Sequence, residues 1–61
     1  MKINDTWEIR RVCANGTSII SVSMFRDWFC ARDALWIDDA LWKIFHEGCF
    51  IHGVVRYYPA R

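Results

Sequence analysis

His46, Cys49 and His52 stand three residues apart near the end of the chain, with Cys13 and Cys30 further back. Imidazole and thiolate are the side chains that hold zinc. The spacing matches no structural zinc pattern, however, and the three straddle a predicted helix end and a predicted strand. On an alternating strand Cys49 and His52 face opposite ways, so no metal site is expected. Cys49 beside His46 has the residue types of a thiol nucleophile and its base. The sequence has no glycine-rich phosphate loop, and one helix on a small sheet offers no deep pocket. The expectation is a non-enzymatic chain without cofactor or metal, its cysteines and histidines serving in packing.

Asp33, Asp38 and Asp39 form an acidic group on a predicted helix. Such a group can hold a cation or exchange protons, but more ordinarily it is a solvated helix face. The basic group is Arg10, Arg11, Arg26, Arg56 and Arg61. Arg10 and Arg56 fall on strands expected to be adjacent, near Tyr58 and Phe50. Guanidinium beside exposed rings on a sheet is one way to hold single-stranded nucleic acid. The overall charge argues against it: 8 basic and 7 acidic residues leave a net +1, far from the basic surplus of most nucleic-acid binders.

The elements that must position these groups are few. Asn15-Gly16 suits a tight hairpin turn, since such a turn needs positive φ at its centre. That turn would set Trp7 opposite Met24, Ile9 opposite Val22 and Arg11 opposite Ile20, on the face richer in large apolar groups and assigned to the core. Arg10 would meet Ser21, Val12 would meet Ile19 and Glu8 would meet Ser23 on the other. Arg26 to Glu47 contains no Gly or Pro and is followed by Gly48, a natural helix stop. On a helical wheel Trp28, Ala31, Ala34, Leu35, Leu41, Trp42 and Phe45 share one side. Arg32, Asp33, Asp39, Lys43 and Glu47 fall mostly opposite. Asp38 lies within the apolar sector, which predicts either a helix break there or a buried carboxylate with a partner. Cys49 to Tyr58 reads as one last strand ended by Pro59. Cys49, Ile51, Val55 and Tyr57 would share one face, and Phe50, His52, Val54, Arg56 and Tyr58 the other. The predicted fold is α+β. A three-stranded, antiparallel-type sheet in β-β-α-β order, with strand order 2-1-3, carries one long or broken helix on one face.

At 61 residues the chain is a single domain, 1–61, near the lower limit for folding alone. It is 54% hydrophobic and 16% aromatic, which excludes disorder and leaves more large apolar surface than one thin core hides. Met1 to Trp7 is polar and lacks the apolar stretch of a leader. No apolar run is long enough to span a membrane. Three cysteines without a leader read as free thiols in a reducing cytoplasm.

The surplus aromatics, Trp36, Phe29, Phe50 and Tyr58, together with Val54, have no place in a single core unless another element covers them. Trp, Tyr and Arg are the residues that anchor protein interfaces. A partner-binding surface is therefore expected at Arg10, Phe50, Val54, Arg56 and Tyr58, with Trp36 nearby. The second strand, taken as Thr17 to Met24, carries no Lys or Pro to block edge pairing, so a homodimer is a further expectation.

Trp7 at the start of the first strand, Asp38-Asp39-Ala40-Leu41 in the helix, Gly48-Cys49-Phe50 before the last strand and Val54-Val55-Arg56 within it resemble small phage accessory proteins that inhibit bacterial RNA polymerase. These stretches amount to 11 residues, spread from the first strand to the last. The helix here is longer, and the strong acidity of those inhibitors is absent, so no functional residue is carried over. The resemblance implies that the partner is a host protein. The expectation is a small phage-encoded interaction protein that docks on it and modulates it sterically, aromatic anchors entering a pocket on the partner while flanking charges fix orientation. The other reading of the same face is a nucleic-acid-binding module.

Overall fold

The computed structural model describes residues 2–29 and 34–60. Strands β1 (Glu8–Cys13) and β2 (Gly16–Ser21) form an antiparallel hairpin around Ala14-Asn15. The turn is thus one residue earlier than expected, with Gly16 (φ 135°) opening β2. The register slips by two: Ile9 pairs with Ile20 and Arg11 with Ser18. A slip of two preserves side-chain alternation, so the predicted core face is kept and Ile9 and Ile20 are buried.

The reason for the slip lies downstream. β2 ends at Ser21, and helix α1 (Val22–Trp28) begins at the next residue. The Ser21 hydroxyl accepts the Met24 N–H at 3.0 Å, a helix N-cap. The Trp7 and Asp5 carbonyls accept the Val22 and Ser23 N–H groups at 2.8 and 3.3 Å. Donors that a first helical turn leaves unsatisfied are met by the N-terminal segment. That segment is folded on itself, with Thr6 N–H donating to Asn4 Oδ1 at 2.8 Å.

The single helix expected over Arg26 to Glu47 is two. α1 ends with Phe29 as its C-cap, and α2 spans Ala34–Trp42. It runs on through a π-helical segment, Lys43–Glu47, stopped by Gly48 in the left-handed conformation (φ 89°). A side chain there would be strained, which is why glycine suits the position. Asp38 neither breaks the helix nor lies buried. It is exposed on α2 and accepts from Arg26 at 3.1 Å. Two helices have two phases, so the single wheel misplaces some residues. Leu41 is fully buried, while Trp28 and Trp42 are exposed. Ala31, Arg32 and Asp33, and the side chains of Ala34 and Leu35, lie outside the described residues.

The last strand is also two. β3 (Phe50–His52) and β4 (Val55–Pro59) pair antiparallel around Gly53-Val54, with Gly53 at φ 64°. The result is a four-stranded antiparallel sheet in the order β2-β1-β4-β3, with helices on one face. It replaces the predicted three-stranded sheet of order 2-1-3, while the α+β class stands.

Ile9, Ile20 and Tyr57 from the sheet, Val22 and Phe25 from α1, Ile37, Ala40 and Leu41 from α2, and Ile44 from the π segment make the core. Phe25 sits at its centre, fully buried, meeting the Tyr57 ring edge-on at 5.2 Å. Trp7 closes one end against Phe45, their rings 5.0 Å apart.

Candidate functional site

Two sheet faces result from the register, and only one carries helices. Arg10 stands between Ile19 on β2 and Tyr58 on β4. Val12 stands between Thr17 and Arg56, and Arg56 in turn opposes Ile51 on β3. Alternation places all of these on the face away from the helices. Ile19 keeps 53% and Ile51 60% of its surface exposed. The Arg10 guanidinium lies over the Tyr58 ring, 5.3 Å from its centre.

Charge is divided between the two sides of the molecule. All three ion pairs among the described residues involve the helices or the N-terminal segment: Arg26 with Asp5 and with Asp38, and Lys43 with Asp39. Arg10 and Arg56 are in none of them. Glu8, the one acidic residue in the strands, pairs with neither. The open face therefore presents two guanidinium groups without carboxylate partners among the described residues, set among apolar side chains, one aromatic ring and Glu8.

Of the residues expected to form a partner surface, Arg10, Arg56 and Tyr58 come together here. Val54 stands at the tip of the β3–β4 turn, 86% exposed. Phe50 and Trp36 do not join them. Phe50 opposes Tyr57 and so lies on the helix side, where its ring meets Trp36 edge-on at 5.7 Å. The turn at Gly53-Val54 explains the difference. By folding the predicted strand back on itself it breaks the alternation between Phe50 and Tyr58. The same turn brings Ile51 to the open face beside Arg56, whereas the sequence predicts the two on different faces. Gly53 within a β-prone run was the signal for that turn.

Phe29 and Trp36, the other surplus rings, are absorbed on the helix side with Phe50 and His52. Phe29 lies 5.0 Å from Trp36 and 5.3 Å from His52. The surplus is thus split, part in an aromatic extension of the core and part on the open face.

The candidate ligand residues are scattered. His52 stacks among Phe29, Trp36 and Phe50, and His46 lies over Trp42 at 4.5 Å. Cys49 and Cys13 are half-buried thiols. Among the described residues no three His, Cys, Asp or Glu side chains gather as metal ligands. Cys30, Asp33 and Arg61 lie outside the described residues. Arg11 is on the helix side, opposite Tyr57. Hydrogen bonding to Tyr57 is the main cause that raises its pKa above the usual value. Its Nη1 donates to Cys13 Sγ at 3.5 Å, and its guanidinium lies 5.6 Å from the Trp28 ring centre.

No helix among the described residues is long and apolar enough to cross a membrane. No family model, curated protein or solved structure matches the chain.

Proposed function

We propose that this is a small, non-enzymatic binding protein that docks its open sheet face on an acidic patch of a larger protein and modulates it by steric cover. One observation carries the reading: among the described residues Arg10 and Arg56 have no carboxylate partner, on a face where Ile19 and Ile51 are exposed and Tyr58 is half-buried. A basic, apolar-centred surface fits a partner with carboxylates around an apolar centre, since complementary charge fixes orientation and apolar anchors supply affinity. Trp36 and Phe50, on the other side of the sheet, take no part. The likeness to phage accessory proteins supports a host protein as the target, met in the cytoplasm, where Cys13 and Cys49 would stay reduced.

The test is a pull-down from bacterial lysate with nuclease present, comparing the native chain with Arg10→Glu and Arg56→Glu. The expected result is one discrete protein whose binding weakens about tenfold or more with either reversal. Unchanged capture by both variants would remove this face from consideration.

A second reading has a specific observation in its favour, the guanidinium stacked on Tyr58 within a sheet. That arrangement also suits single-stranded nucleic acid. It requires capture that disappears with nuclease and affinity that falls steeply with salt.

A further inference from the structure

The sheet has two edges, and they differ. β3 is three residues long, whereas β2 presents six, Gly16–Ser21, in unbroken register with β1. β2 contains no charged residue and no proline, the usual devices that stop an edge from pairing.

The direction of its free hydrogen-bonding groups follows from the neighbours. The Trp7 carbonyl accepts from Val22 N–H, and the Glu8 carbonyl accepts from Ala60 N–H. Odd-numbered residues of β1 therefore turn their backbone groups to β2, and even-numbered ones to β4. In an antiparallel ladder this leaves Gly16, Ser18 and Ile20 bonded to β1. Thr17 and Ile19 turn their N–H and C=O groups outward.

We propose that β2 pairs antiparallel with β2 of a second copy, about a two-fold axis at Ile19, to give a continuous eight-stranded sheet. At this register Ile19 exchanges both backbone hydrogen bonds with its counterpart, and Thr17 lies opposite Ser21. The contact is self-complementary, so it closes at two copies. Its side chains face the same way as Arg10 and Tyr58, and the exposed Ile19 is covered by its own counterpart. No like charges meet, because β2 has none. Stacking the two open faces instead would bring four guanidinium groups together with only two Glu8 carboxylates on those faces, so charge gives it no advantage. The pairing covers Ile19 but leaves Arg10, Arg56, Tyr58 and Ile51 of the docking face open, so it stands whether or not that docking occurs.

The experiment combines sedimentation equilibrium with amide hydrogen exchange of the native chain across a concentration series. The expected species has twice the 7.3 kDa chain mass, and the Thr17 and Ile19 amides gain protection as it forms. Ile19→Lys, at an exposed position, should keep the circular dichroism spectrum and sediment as a monomer. A monomer up to about 1 mM, a dimer in which the Thr17 and Ile19 amides stay unprotected, or growth beyond two copies would each overturn the proposal. The exchange measurement needs no variant, so a folding defect in Ile19→Lys would not rescue it.

Discussion

Arg10 and Tyr58 face each other across the β1–β4 pair, the guanidinium 5.3 Å from the ring centre. A cation over a tyrosine face at an exposed site contributes about 0.5–1 kcal/mol. A double-mutant cycle of Arg10→Ala and Tyr58→Ala, followed by urea unfolding, should return a coupling of that size. A coupling near zero would mean that Arg10 is held only by its strand.

Phe25 is the largest fully buried side chain. Its removal leaves a void against Tyr57 and Phe29. Phe25→Ala should cost about 3–5 kcal/mol, enough to unfold much of a domain this small at ambient temperature. Trp42→Ala, at a position 42% exposed, should cost far less. Thermal melts of the two, side by side, test whether the core is centred where the packing shows it.

Ser21 caps α1 with its hydroxyl. Ser21→Ala should lower stability by about 1 kcal/mol, and Ser21→Asp should restore it, since aspartate caps as well as serine. Equal stability of Ser21→Ala and the native chain would show that the Trp7 and Asp5 carbonyls suffice to hold that end.

Arg26 joins the N-terminal segment to both helices through Asp5 and Asp38. Both carboxylates are well exposed, so each pair should contribute less than about 1 kcal/mol. The loss in Arg26→Gln should shrink in high salt. Chemical unfolding at two ionic strengths distinguishes this from a packing role, which salt would leave untouched.

Gly53 holds a left-handed conformation in the β3–β4 turn. Gly53→Val should destabilise the turn by about 1 kcal/mol or more and loosen β3, with faster exchange of the Phe50 and Tyr57 amides, which pair across β3 and β4. Exchange confined elsewhere would place the strain outside this hairpin.

Much of the α+β class, the first hairpin and the core face was readable from local chemistry. Ile9 and Ile20 share a face because alternation survives a two-residue slip. The break between the helices was not readable, because no Gly or Pro marks Phe29. Where α1 ends, the Phe29 ring packs on Trp36 and His52, tertiary contacts that leave no local trace. The turn at Gly53-Val54 did leave a trace in its glycine, but β-prone residues on both sides outweighed it. Arg10, Arg56 and Tyr58 were recognised as neighbours because each lies on a stretch whose alternation the missed turn does not disturb. Phe50 and Ile51 were exchanged between faces because both lie before that turn.

Between β2 and α1 there is no linker: Ser21 ends one and caps the other. Strand and helix are therefore geared together like two wheels on one axle. A residue inserted at Ala14-Asn15 could be absorbed in the loop, but one inserted after Ile20 would turn α1 by about 100°, swinging Phe25 out of the core. Length variation in this chain should therefore be tolerated at the hairpin tip and excluded from the joint, a pattern that distant sequences sharing the fold would carry as a conserved interval from Ile20 to Phe25.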